Sequence, residues 1–176
     1  QQPPQHTVIS GDTVDFVQKY KYLGTIIDNR LTWEDNTDAI CSKAAQRLFF
    51  LRKLNYFQVD NTILTLFYRS FIESILVFSL VCWFGNLSVK NKNRLSRFVN
   101  ICSKITGTQQ ASLSLLYDRQ LRRKAHSIMS IEDHPLRQEF EPLPSGRRLK
   151  VPKFRTNRAK LSFVPRAISL LNSVEK

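Results

Sequence analysis

The chain has 176 residues, 42% of them apolar and 12 of them Phe, which suits one packed domain, or one with a tail. A formal net charge of +13 points to an anionic partner, with polyphosphate backbones the commonest such surface. The three cysteines, Cys41, Cys82 and Cys102, lie far apart with no CxxC spacing, which argues against a disulfide framework or a zinc site and leaves them as small core residues on helices.

The charge is unevenly placed. Residues 1–38 carry 3 basic and 6 acidic side chains, residues 39–131 carry 14 against 3, and residues 132–176 carry 10 against 5. The first residue is Gln rather than Met, as in a fragment or processed product, and the polar opening QQPPQHTVIS has no signal-peptide core.

In chain order, residues 1–6 read as a disordered lead-in. His6 to Ser10, a Gly11-Asp12 turn and Thr13 to Val17 read as a hairpin. A second extended run covers Tyr20 to Ile27, and Gly24 inside it signals a bulge, a close backbone approach or a twist point. After a turn at Asp28-Asn29-Arg30, a helix is expected over Glu34 to Leu54. Thr32 and Asp35 stand at cap spacing, and Ile40, Ala44, Leu48 and Leu51 form its apolar stripe.

A short link at 55–58 favours an antiparallel helical hairpin with the longest apolar stretch, Asp60 to Gly85. That stretch reads as one helix, capped by Asp60 and stopped by a left-handed Gly85. Its buried face is expected to hold Ile63, Leu64, Phe67, Phe71, Ile75, Phe78 and Val81 or Cys82, with Arg69 and Glu73 paired on the other side. From Ile75 to Phe84 the polar face vanishes, so this half is expected to be covered nearly all round, as a core helix and not a membrane span.

Two more helices follow. One runs from cap Ser88 to stop Gly107, and the next covers Ser112 to about Met129 with the basic cluster Arg119, Arg122, Arg123 and Lys124. Beyond Ile131, prolines break regular structure. Arg147 to Arg166 then holds eight basic residues and no acidic ones, among them Arg147, Arg148, Lys150, Lys153, Arg155 and Arg158. Phe154 and Phe163 are interleaved, a pattern that suits phosphate contact with base stacking. Val164 to Val174 is amphipathic and could dock back. The fold expected is mainly α with a small N-terminal β hairpin (α+β): segment 1–31, an antiparallel helical bundle over 32–131, and an irregular basic tail over 132–176.

Catalytic constellations are hard to assemble. No GxGxxG, GxxxxGK[ST], HExxH or GxSxG occurs, and none of the three histidines has the x-Asp or x-Glu of an iron triad. Between residues 39 and 131 the carboxylates are only Asp60, Glu73 and Asp118, too scattered for two-metal chemistry. No cofactor and no metal are expected.

YKYLGTIIDNRLTW at 20–33, with CSKAAQRLFFLRKL, FYRSFIESILVFSLVCWFGN and the late LPSGRRLKVPKFRTNRAKLSFVPRAISLLN, resembles the region after the catalytic palm in LINE-type non-LTR retrotransposon reverse transcriptases. The resemblance implies that Tyr22 and Gly24 belong to a hairpin supporting the primer end. It also implies that the helices form a thumb holding template and primer, with the upstream palm as a partner. The Tyr-x-Asp-Asp motif is missing, so polymerase activity is not implied for this chain. As part of an active retroelement it would work inside the cell, in the nucleus. The block from Phe16 to Ile40 is also similar to the N-terminal domain of an AlkB-homologue tRNA-modifying enzyme, which implies an oxoglutarate-dependent dioxygenase or methyltransferase context.

The function expected is non-catalytic binding of RNA, single-stranded DNA or RNA/DNA hybrid by the basic helices and tail. The rival is a helical protein-interaction module that pairs with protein partners through an exposed part of the Ile75 to Phe84 surface and tends to self-associate. The AlkB-type segment comes third.

Overall fold

The computed structural model describes residues 6–173. Most of the expected lead-in, and Val174, lie outside them.

Two hairpins open the chain. β1 (His6–Ile9) pairs antiparallel with β2 (Asp12–Asp15) around Ser10 and Gly11, both at positive φ, which is the turn twist that two-residue hairpins favour. Nothing in β2 is buried. β3 (Lys19–Tyr22) and β4 (Thr25–Asp28) form the second hairpin. The single extended run expected over 20–27 therefore folds back on itself. Leu23 (φ 45°) and Gly24 (φ 88°) make the turn, so Gly24 is a turn glycine and not a bulge. Leu lacks the turn chemistry of Asn or Asp, which is why YLGT gave no turn signal.

Asp28 joins this hairpin to the helices. Its carboxylate accepts from the backbone N–H of Arg30 (3.0 Å), Thr32 (3.1 Å) and Trp33 (2.9 Å) and from the Thr32 hydroxyl (3.1 Å). Burial pushes its pKa upward, but these bonds from Thr32, Trp33 and Arg30 outweigh that and hold it below the usual value. α1 (Glu34–Tyr56) starts after a left-handed Trp33, and the Thr32 hydroxyl accepts from the Glu34 N–H at 3.4 Å, while Asp28 holds the turn that leads into it. The Asn36 side chain adds a tie, accepting from Ile26 N–H at 3.1 Å.

The central stretch is the main correction. It forms α2 (Asn61–Phe67), a π-helical segment (Tyr68–Glu73), α3 (Ser74–Leu76), a break with Ser79 left-handed, α4 (Leu80–Trp83) and a 3₁₀ turn (Phe84–Asn86). Asp60 caps it as expected, accepting from Thr62 N–H at 2.7 Å. The buried row is Leu64, Tyr68, Ile72, Leu76 and Leu80, while Ile63, Phe71 and Phe78 of the expected face are exposed. A strict four-residue repeat overshoots an α-helical turn by about 40° per step, and the wider π turns absorb that drift. Sequence reasoning at period 3.6 picked the neighbouring row for this reason.

The expected Arg69–Glu73 ion pair does not form among the described residues. The break is bridged from other elements: the Trp83 indole donates to Phe78 O (3.0 Å) and the Gln120 amide to Val77 O (3.5 Å). Asn61–Asn86 is the one helical run among the described residues long and apolar enough to cross a membrane. From Ile75 to Phe84 only Phe78 and Cys82 are exposed, so this half is covered on most sides, with Leu76, Leu80, Trp83 and Phe84 buried. Gly85 is not a left-handed stop. A Cβ there would stand 2.6 Å from both Leu161 O and Tyr117 Oη, so glycine is needed for close packing.

α5 (Val89–Thr106) and α6 (Leu113–Ser130) match expectation closely. Ser88 and Ser112 cap them through Asn91 N–H and Leu115 N–H, and Gly107 (φ 66°) ends α5. α5 lies along α1, burying Leu95, Val99 and Cys102 against its Ile40, Ala44 and Leu48 stripe. Only Cys102 of the three cysteines is buried; Cys41 is half-buried and Cys82 exposed. The tail is less irregular than expected. α7 (Asn157–Lys160) and α8 (Phe163–Asn172) form, and α8 docks on α6, burying Ala167, Ile168 and Leu170. The fold is thus mainly α with two small N-terminal hairpins.

Candidate nucleic-acid interface

Pro142 and Leu149 pair as an antiparallel bridge, and the loop between them is closed by Leu143 N–H to Arg148 O (2.7 Å) and Gly146 N–H to Leu143 O (2.8 Å). Gly146 takes φ 67°, a left-handed conformation that favours glycine. Asn172 on α8 then clamps Leu149 from the other side, accepting from its N–H and donating to its C=O, each at 2.9 Å. The loop that carries Arg147 and Arg148 is therefore fixed at both edges.

It is fixed beside α6. Arg122, His126 and Met129 stand at i, i+4 and i+7, next to the buried Leu121, Ala125 and Ile128, and share one side of that helix. Together with Arg147, Arg148 and Asn172 they line a cavity of about 310 Å³. Three arginines line it, and among the described residues no carboxylate does. The Arg122 Nε is buried without a hydrogen-bond partner among the described residues, an arrangement that costs free energy. An oxyanion with several acceptor oxygens fits this donor set, since guanidinium forks match phosphate geometry.

The other expected residues are dispersed. Arg119 lines a separate cleft with Arg69, Glu73 and Gln110, where burial raises the Glu73 pKa and the Arg69 charge opposes it. Arg123 and Lys124 are exposed on α6, and Lys153 and Arg155 on the segment before α7. Lys150 pairs with Glu141 at 3.0 Å. Arg158 donates to Arg30 O at 2.8 Å and so ties α7 to the turn after β4. Phe163 packs edge-on against Phe140 and is not free to stack on bases; Phe154 is exposed. Tyr22 is exposed at the second hairpin, and a Cβ on Gly24 would stand 3.4 Å from the Phe78 ring. That is ordinary van der Waals contact, and the glycine is called for by its φ of 88°.

Sequence reasoning missed His126, Gly146 and Asn172. Gly146 in PSGRR was a turn signal; nothing local marks the other two.

Nucleophilic and metal chemistry find little support. Burial pushes the Cys102 thiol up to about 12, and burial also raises Cys41 and Cys82, against Arg94 and Lys124 respectively. None is a thiolate near neutral pH. Among the described residues no three of His, Cys, Asp and Glu gather as a metal site, so the residues present do not fit an iron centre.

The family described as alkylated DNA repair protein AlkB homologue 8, N-terminal, matches residues 33–74, about a quarter of the chain. The match spans α1, the link, α2 and the π segment; it begins later than the Phe16 to Ile40 block and overlaps it at 33–40. No curated protein and no solved structure matches. The reverse-transcriptase resemblance finds no support in these comparisons.

Proposed function

We propose that this chain is a non-catalytic nucleic-acid-binding module that holds a phosphate of RNA or single-stranded DNA in the Arg122–Arg147–Arg148 cleft. The observation that carries the reading is the gathering of Arg122, Arg147 and Arg148 around one cleft that no carboxylate among the described residues lines. Exposed Arg123 and Lys124 on α6, and Lys153 and Arg155 before α7, add positive charge outside the cleft.

The test is anisotropy of a labelled oligonucleotide across a salt series. Three phosphate contacts on a single strand give a log–log slope near −2, from ~0.7 per contact. A flat salt response overturns the proposal. Preference for an RNA/DNA hybrid over either single strand would favour the thumb-like reading drawn from the reverse-transcriptase resemblance.

The match over residues 33–74 favours a second reading, in which the chain is the AlkB-homologue-type segment of a protein that repairs alkylated nucleic acid. Binding would again be its contribution, because among the described residues none assemble as iron ligands. Stoichiometric iron(II) binding by the purified chain would move the assignment toward an oxygenase.

A further inference from the structure

The Phe-rich side of the molecule, opposite in chemistry to the arginine cleft, is left over by the nucleic-acid reading. α1 buries one stripe and displays a second, Phe50, Leu54 and Phe57 at i, i+4 and i+7; Phe57 is 71% exposed. Facing it, Phe67 and Phe71 stand four apart on α2 and the π segment, their rings stacked at 4.8 Å. The row Ile63, Phe67, Phe71 runs one residue ahead of the buried row at the same period. The π turns that keep the buried row straight therefore keep this one straight too. Between the two rows lies a groove of about 490 Å³.

Its only charged lining is Arg47 and Lys53. Arg47 donates to Phe71 O (3.2 Å) with its guanidinium 5.7 Å from the Phe71 ring centre, and Lys53 lies 5.1 Å from the Phe49 ring centre. Neither has a carboxylate partner among the described residues. Two helices that present apolar positions at these steps form an open seam, which accepts a third helix by knobs-into-holes packing. Exposed apolar surface of this kind marks an interaction site. Bases would need polar partners for their edges, and apart from the two cations the lining is apolar.

We propose that this groove docks an amphipathic helix of another polypeptide, apolar at i, i+4 and i+7 and acidic along its flanks to meet Arg47 and Lys53. The proposal stands apart from the nucleic-acid reading.

The test uses the full chain and a labelled helical peptide of about five turns, with a Leu seam and Glu flanks. Binding is expected, weakened about tenfold by Phe57→Ser and by Phe50→Ser, both surface changes that leave the circular dichroism spectrum unaltered. Lys53→Glu should weaken the Glu-flanked peptide and strengthen a Lys-flanked one. Failure of the wild-type chain to bind the peptide overturns the proposal. So does displacement of the peptide by an oligonucleotide that Phe57→Ser no longer binds. A concentration-dependent mass abolished by Phe57→Ser would assign the groove to a second copy of the chain and overturn it too.

Discussion

The arginine cleft beneath α8 and the phenylalanine groove beside α1 both contain cations, and they differ in what surrounds those cations. In the cleft, Arg122, Arg147 and Arg148 neighbour His126 and Asn172, and one donor has no acceptor. In the groove, Arg47 and Lys53 lie over aromatic rings, whose faces attract them. The difference teaches that a net charge of +13 is not one surface. A guanidinium crowded by other guanidiniums selects for an anion, whereas a cation resting on a ring borders an apolar site.

The strongest way to break this comparison is charge reversal in the cleft. Arg122→Glu, Arg147→Glu and Arg148→Glu combined are expected to cut oligonucleotide affinity about 100-fold, near 2.7 kcal/mol, in anisotropy titrations, with peptide binding at the groove unchanged. Parallel loss of both would mean the two faces are one.

Next in size, Gly85→Ala forces Leu161 and Tyr117 apart, and we expect a loss of about 2 kcal/mol in urea denaturation. The cleft should weaken and the groove should not, because α6 and the α7–α8 segment position the cleft through this contact while the groove is lined from α1, α2 and the π segment.

Asp28 sharpens the comparison from the side, since it touches neither face. Asp28→Ala should cost about 1–3 kcal/mol, because it leaves the N–H groups of Thr32 and Trp33 without their acceptor. Its folded pKa is depressed, so its contribution is present above the ordinary value of 3.8 and disappears as pH falls through the folded value. Wild type should therefore lose stability below about pH 4 more steeply than the variant in acid titrations followed by circular dichroism. The smallest effect is Leu23→Asn, which relieves a left-handed Leu. It should raise the denaturation midpoint by an increment on the order of 1 kcal/mol without altering either affinity.

What could be read in the sequence was what is decided locally. Ser88, Ser112, Asp60 and Gly107 act within one turn of where they stand, and each does what its residue type suggests. The apolar stripe of α1 likewise followed from its spacing. The central stretch misled because two apolar rows lie side by side, one starting at Ile63 and one at Leu64, and only packing against α1 and α5 decides between them. Gly85 looked like a stop because the helix ends near it, yet its reason is 32 residues away at Tyr117 and farther still at Leu161. The two arginine clusters were each visible, but that Arg122 would meet Arg147 and Arg148 depends on α8 folding back. Asn172, which holds their loop, carries no local mark.

The π-helical turns from Tyr68 to Glu73 make this part of the chain tolerant of a change in length. A wide turn accommodates a residue that an ordinary helix would not, so deleting one residue there would let the backbone relax into a regular helix. Everything downstream would then keep its facing, because the residue removed is the one the wide turns had taken in, and Leu76, Leu80 and Trp83 would stay in the core. The same deletion in the ordinary helical turns of α2 would instead rotate those side chains by about 100° relative to Leu64. One stretch of this element can lose a codon quietly, and its neighbour cannot.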